Sequence, residues 1–283
     1  LEIESDRGIS AKEKAESILS DMGTYYETPE RPHTYCLMER DGSLDYGFEM
    51  VTAYTGLDVH SEQLRAFKKK YSGLRSHDTK TCGLHVHVCK SGMTTLHASK
   101  MILFINDENN LPLIKAIARR DSSSYAVIKN KTVDKTWMKD AVRCSKEKSS
   151  QLRNLNSSRY EALNFQNERT VEFRLFKGSL KFETIMSCLE FTFATWHFCR
   201  DASVSDLTSE RFIEFICKPE NLSDTKHLRP YLKSRGINIP EAFSAPSKTV
   251  SEIAQSINQS KSRASRYDAF GVNLDNSFNT QSI

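Results

Sequence analysis

Apolar and polar positions along the chain follow two periods. From Ser10 to Met22 the apolar residues Ala15, Ile18, Leu19 and Met22 recur at helical spacing. Ser10 stands before them with Glu13 three residues later, the pattern of a capping box, and Gly23 closes the segment. The same spacing predicts a helix over about 61–71, carried by Leu64, Phe67 and Tyr71. Residues 94–118 read as one or two helices, with Pro112 marking a break or a fresh start. Ile185, Leu189, Phe193 and Trp196 predict a strongly apolar helix over 182–200, followed by helices at 208–217 and 224–234. Between the helices the period shortens to two. Residues 34–39, 46–52, 84–88 and 170–176 alternate as half-buried strands do. Strands of a parallel sheet are buried on both faces, whereas half-polar strands suit an antiparallel sheet with one buried face. The prediction is therefore an α+β fold, an antiparallel sheet with helices on its apolar face and a polar face left for chemistry.

From about Ala245 the pattern fades into Ser, Asn and Gln. This divides the chain into a domain at 1–244 and a partly flexible tail at 245–283, with room for one short helix near 248–259. The 283 residues are enough to bury a sizeable core without disulfides. Forty basic residues against 36 acidic ones leave +4, too weak a balance to indicate nucleic acid. The seven cysteines include no C-x-x-C pair, which argues against a zinc ribbon and a secreted disulfide framework. Reduced thiols in a cytoplasm are the expectation. No apolar run reaches the ~20 residues that span a bilayer. The chain opens on Leu1 without a signal-peptide pattern, and is expected to lack its natural start.

Several strands place ionisable groups on one face. Glu2 and Glu4 flank Ile3; His85 and His87 flank Val86; Glu172 and Arg174 flank Phe173. Positions i and i+2 of a strand share a face. If these strands neighbour one another in one sheet, carboxylates, imidazoles and a guanidinium converge. Clustered carboxylates raise one another's pKa or bind a cation, and oxygen-rich sites with one or two imidazoles suit Mg²⁺ or Mn²⁺. Each strand taken alone is equally a solvated face. Asp41-Gly42 is a turn signal, with Glu49 on the strand beyond it, and a plain hairpin accounts for Asp41 about as well as a ligand role does. Arg119, Arg120 and Arg159 are candidates to neutralise phosphate oxygens, although a helix C-terminus also favours positive charge. The chain holds no G-x-x-x-x-G-K-[ST] and no G-x-G-x-x-G. Cys82 and Cys89 flank the histidine strand and read as buried small hydrophobes.

The order of these motifs resembles the amidoligase family, a branch of the carboxylate–amine ligases with a glutamine synthetase-like fold. The resemblance runs through Glu2-Ile3-Glu4, Asp41-Gly42-Ser43, Gly47-Phe48-Glu49 and the strand from Cys82 to Val88. It continues through Arg119 to Tyr125, Arg159 to Asn164 and Thr170 to Arg174, and covers roughly residues 1–235. It implies two Mg²⁺ or Mn²⁺ ions, one held by Glu2, His87 (or His85) and Glu172, the other by Glu4, Asp41 and Glu49. Asp41 stands where the wider fold often has glutamate. The resemblance further implies that Arg119, Arg120 and Arg159 contact the phosphates of ATP, and that Arg174 holds the phosphoryl group or the substrate carboxylate. Arg174, Arg159 and Glu49 would then be the catalytic set.

The implied activity is ATP-dependent joining of a carboxylate to an amine through an acyl phosphate, with a small metabolite, a peptide or a protein as substrate. Two readings from other classes stand beside it. A metal-dependent phosphoesterase or nuclease would use the same carboxylates and histidines but needs no nucleotide site. A binding module would keep the fold without turnover. The Lys68-Lys69-Lys70 run is either a docking site for an acidic partner or a solvated helix face. The sequence leaves the oligomeric state open.

Overall fold

Ser10 caps the first helix as its sequence predicts. Its hydroxyl oxygen accepts the Glu13 amide at 3.3 Å, and α1 (Ala11–Asp21) buries Ala15 and Ile18. The computed structural model describes residues 1–22, 25–28, 31–33, 35–77, 79, 81–121, 126–128 and 158–240. The tail expected from 245 with its helix at 248–259, residue 34 of the first predicted strand and Ser122–Tyr125 of the arginine segment lie outside these residues.

Nine strands are formed: β1 (Glu2–Ser5), β2 (Tyr25–Thr28), β3 (Arg31–His33), β4 (Cys36–Glu39), β5 (Gly47–Thr52), β6 (Leu74–Arg75), β7 (Gly83–Cys89), β8 (Leu163–Asn164) and β9 (Thr170–Lys177) among the described residues. All their pairings are antiparallel. The α+β class and the antiparallel pairing follow the prediction, but the single sheet does not. The strands divide into a sheet of order β4-β5-β1-β6, a hairpin β2-β3 and a sheet of order β7-β9-β8. The first of these stops at a particular place. β6 pairs with β1 only through Glu4↔Arg75 and Ser5↔Leu74. The next carbonyl along that edge of β1, that of Glu2, accepts the Ser76 hydroxyl at 2.8 Å. A side chain satisfies the group that a further ladder bond would take, and β7 begins a new sheet.

The helices pack as the apolar stripes require. α2 (Leu57–Gln63) starts earlier than the predicted 61 and tightens into a 3₁₀ turn at Leu64–Lys68, which still buries Leu64 and Phe67. Pro112 opens a new helix, so 94–118 resolves into α3 (Thr95–Asn106) and α4 (Leu111–Ala118). α5 (Phe182–Asp201) is the central helix, and α6 (Ser209–Ile216) and α7 (Leu228–Ser234) follow it. The Phe212 ring of α6 lies 5.2 Å from Phe104, 5.4 Å from Phe191 and 5.5 Å from Phe198. Glu190, 2% exposed in the middle of α5, accepts the backbone N–H groups of His227 and Leu228 at 2.8 and 2.7 Å. A carboxylate thus meets the positive end of α7 and pins that helix to the core.

The described cysteines are all free. Cys82 is buried and its thiol pushed up to about 11 by desolvation, whereas Cys89, expected to be buried, is exposed because it ends β7 at the surface. The lysine run is a partly engaged surface. Lys69 bonds Asp21 at 2.7 Å and Lys68 lies over the Phe182 ring at 4.9 Å. No helix among the described residues is long and apolar enough to cross a membrane.

Candidate active site

The register of the first sheet lines up acidic side chains. Glu39 pairs with Glu49, and Glu49 with Glu2, so one row of carboxylates crosses β4, β5 and β1. Ile3, Phe48 and Met50 occupy the opposite face and are buried. Glu2 is 8% exposed, and its Oε2 accepts the backbone N–H of Gly83 at the start of β7. Burial, aided by the nearby charges of Asp41 and Glu49, pushes the Glu2 carboxyl up to about 7. Glu4 stands opposite Gly47 and accepts the Thr81 hydroxyl at 2.5 Å. Gly47 is required there, since a Cβ would lie 2.3 Å from the Ile3 carbonyl oxygen. Asp41 adopts the turn role, its Oδ1 accepting the Ser43 amide at 2.8 Å. It still acts electrostatically on Glu2.

In the second sheet Glu172 is the centre. Its Oε1 accepts Arg174 Nη1 at 2.5 Å and lies 3.2 Å from His85 Nδ1, while Oε2 accepts Asn164 Nδ2 at 2.9 Å. His87 and Asn164 flank Glu172 in register on β7 and β8. Burial, followed by the charges of Arg174 and Arg120, holds His85 well below the usual histidine range. His85 Nδ1 thus faces Glu172, and its other ring nitrogen, Nε2, points away from that carboxylate. That Nε2 lies 3.0 Å from where a Cβ on Gly83 would stand, and Glu2 Oε2 lies 3.4 Å from the same point. The two sheets therefore meet at Gly83, with Glu2 on one side and His85 on the other. His87 is lowered by burial, against the opposing pull of Glu172 and Glu49, and its Nδ1 is 3.0 Å from Thr170 Oγ1.

The arginines separate into two kinds. Arg119 and Arg120 spend their guanidinium groups on β9 carbonyls: Arg119 on Lys177, and Arg120 on Leu175 at 3.0 Å and on Arg174. Arg159 is exposed; it donates to the Tyr160 hydroxyl at 2.7 Å, with its guanidinium 4.8 Å from that ring. The Tyr160 hydrogen bond raises the arginine above its usual range, and the Glu172 charge adds to the effect.

Carboxylates and an imidazole are the donors a hard divalent cation takes. The acid-on-acid repulsion at Glu2 is the condition a cation relieves. Their present partners are protein N–H and O–H groups. Among the described residues no three histidine, cysteine, aspartate or glutamate side chains gather closely enough to hold an ion. Glu39, opposite Glu49 across the β4–β5 hairpin, and Asn164, the last residue of the R-Y-x-x-L-N segment and opposite Glu172, join the site through strand register alone.

A family model described as "putative amidoligase enzyme" matches residues 1–196, ending inside α5 rather than near 235. No curated protein and no solved structure matches the chain. The match covers well over half of the sequence and takes in both carboxylate strands, the histidine strand and the Glu172 strand, and on that ground the chain belongs to the amidoligase family.

Proposed function

We propose that this chain is an ATP-dependent carboxylate–amine ligase. In this reaction a substrate carboxylate oxygen attacks the γ-phosphorus of ATP and ADP leaves. The amine nitrogen then attacks the acyl phosphate carbon, phosphate leaves, the nitrogen loses a proton, and an amide remains. The observation that carries the reading is the meeting of the Glu39–Glu49–Glu2 row with the His85–Glu172–Arg174 cluster at Gly83. No serine or cysteine nucleophile is needed, because positioning and charge neutralisation account for phosphoryl transfer.

In this reading Glu2 and Glu49 of the first sheet, Asp41 of the turn between β4 and β5, and Glu172 and His85 of the second sheet would have to draw closer than they stand to hold Mg²⁺ or Mn²⁺, which would supply neutralisation of phosphoryl oxygens. His85 is preferred to His87 because its Nε2 is directed towards Gly83 and Glu2. Glu172 holds Arg174 through Oε1, the oxygen that also faces His85 Nδ1 at 3.2 Å. Arg174, held on Glu172, and the exposed Arg159 are the cations this reading assigns to the transferring phosphoryl group. The substrate is a carboxylate and amine pair, within which a peptide or protein is accommodated, and the reading places the chemistry in the cytoplasm.

One observation favours a second reading. Arg119 and Arg120, two of the three arginines expected at the phosphates, are occupied with β9. A metal-dependent phosphoesterase needs neither. Calorimetric titration of ATP with and without Mg²⁺, on the wild type and on Glu172→Ala, separates the two. Mg²⁺-dependent nucleotide binding that the variant loses supports the ligase. Mn²⁺ or Mg²⁺ binding with no nucleotide binding overturns it in favour of hydrolysis.

A further inference from the structure

β9 does not run evenly against β7. Leu84 pairs with Phe176 and Val86 with Phe173, so His85 alone faces Arg174 and Leu175 together. Two residues on one strand against one on the other make a β-bulge. Burial marks the same slip: Phe173 and Leu175 are buried on either side of the partly exposed Arg174, yet Phe176 is buried as well. A bulge twists its strand and re-aims a side chain. Here the re-aimed residue is Arg174, whose Nη1 reaches Glu172 Oε1 at 2.5 Å, the same oxygen that faces His85 Nδ1.

A bulge also turns backbone carbonyls out of the regular ladder, and each needs a donor. β8 pairs with β9 only through Leu163↔Phe173 and Asn164↔Glu172. Arg120 donates to both bulge carbonyls, Nε to that of Leu175 at 3.0 Å and Nη2 to that of Arg174. One planar guanidinium thus spans both carbonyls of the bulged pair, a task for which its fixed fork is suited and a lysine is not. Arg119 takes the Lys177 carbonyl further along. The backbone that delivers both side chains is unusual. Arg119 ends α4 at φ 60°, ψ 20°, the one non-glycine residue at positive φ among those described. Glycine occupies that conformation far more readily, so an arginine there argues for a required side chain.

We propose that Arg120 is a positioning residue: it clamps the Arg174–Leu175 bulge and thereby sets Arg174 on Glu172, rather than binding a phosphate. The inference uses the ligase reading only to choose ATP as the probe. The test is made on the full chain with Arg120→Gln and Arg120→Lys. Amide hydrogen exchange over Arg174–Phe176 is expected to rise tenfold or more in Arg120→Gln while thermal unfolding stays cooperative. The affinity for ATP with Mg²⁺ is expected to change less than twofold, and ADP release to lose at least tenfold in kcat at unchanged KM for ATP. Arg120→Lys, which reaches one carbonyl only, should recover part of both losses. Unchanged β9 exchange with tenfold weaker ATP binding would overturn the proposal and make Arg120 a phosphate ligand. If the wild type binds no nucleotide the ligase reading falls, and exchange alone decides: no rise in Arg120→Gln overturns the clamp. If Arg120→Gln does not fold, the same exchange measurement on Arg120→Lys decides in its place.

Discussion

Glu2 and Glu49 stand directly opposite one another on β1 and β5, two carboxylates in register on a face that also carries Glu39 and Glu4. Like charges directly opposite in a sheet are destabilising, and the Glu2 carboxyl is accordingly pushed up to about 7 by burial and by its acidic neighbours. Replacing Glu2 by Gln removes a charge while keeping an oxygen that accepts the Gly83 amide. The variant should be more stable than the wild type by about 1 kcal/mol in metal-free buffer, and inactive. Saturating Mg²⁺ or Mn²⁺ should raise the wild-type melting temperature and leave the variant unmoved, since only a species that binds the native state stabilises it. Equal metal-induced shifts in both proteins would remove Glu2 from any cation site.

Glu172 presents the opposite case, a carboxylate with every oxygen satisfied. It is 6% exposed and bonds Arg174 and Asn164, with His85 Nδ1 3.2 Å from the oxygen that holds Arg174. Glu172→Ala strands a partly buried guanidinium and should cost about 3 kcal/mol, the order seen when one partner of a buried ion pair is removed. Asn164→Ala removes one hydrogen bond and should cost about 1 kcal/mol. Denaturant titrations of both variants measure the difference. Equal costs would show that Arg174 finds another partner and that Glu172 does not organise the cluster.

The elements were legible where a local rule governed them. The α1 capping box, the Pro112 restart and the Leu84–Val88 alternation each depend on neighbours a few residues apart, and each element formed within a few positions of its predicted span. The site was legible in its ingredients, because E-x-E, H-x-H and E-x-R each fix which side chains share a strand face. The assembly was not legible. That Glu2 meets the second sheet through the Gly83 amide rather than by strand pairing depends on Ser76 closing the edge of β1, a contact between residues far apart in sequence. The turning of Arg119 and Arg120 onto β9 depends on a bulge and on a left-handed arginine. Neither leaves a periodic trace, so both arginines read as free cations.

Gly47 and Gly83 should respond differently to alanine although both border the site. At Gly47 a Cβ would lie 2.3 Å from the Ile3 carbonyl oxygen, and backbone on a paired strand cannot move aside. Gly47→Ala should therefore cost about 3 kcal/mol, the upper end for overpacking, through loss of β1–β5 pairing. At Gly83 the nearest atoms are side-chain ends, His85 Nε2 at 3.0 Å and Glu2 Oε2 at 3.4 Å. Gly83→Ala should stay within about 1 kcal/mol of the wild type and lose activity by displacing those two groups. Thermal melts paired with ADP-release assays read both quantities. A Gly83→Ala enzyme with full activity would move the chemistry away from the junction of the two sheets.

The core carries a pH dependence that is independent of the site. His97 on α3 is 4% exposed; its Nε2 lies 2.8 Å from the Trp196 carbonyl oxygen, to which it donates. Burial lowers the ring from 6.5 to about 4, with Lys100 and Arg200 adding to the effect and Asp201 opposing it. The unfolded chain therefore binds a proton at a higher pH than the native one does. Stability from this group is fully present above pH 6.5 and is lost as pH falls through the folded value near 4. That gap corresponds to up to about 3 kcal/mol. Urea titrations between pH 7 and pH 4 should show a steep fall for the wild type. His97→Gln, which keeps an N–H for the Trp196 carbonyl and cannot be protonated, should fall less steeply over the same range. Superimposable pH profiles would show that His97 takes up its proton at the same pH in the native and the unfolded chain, so that burial does not depress it.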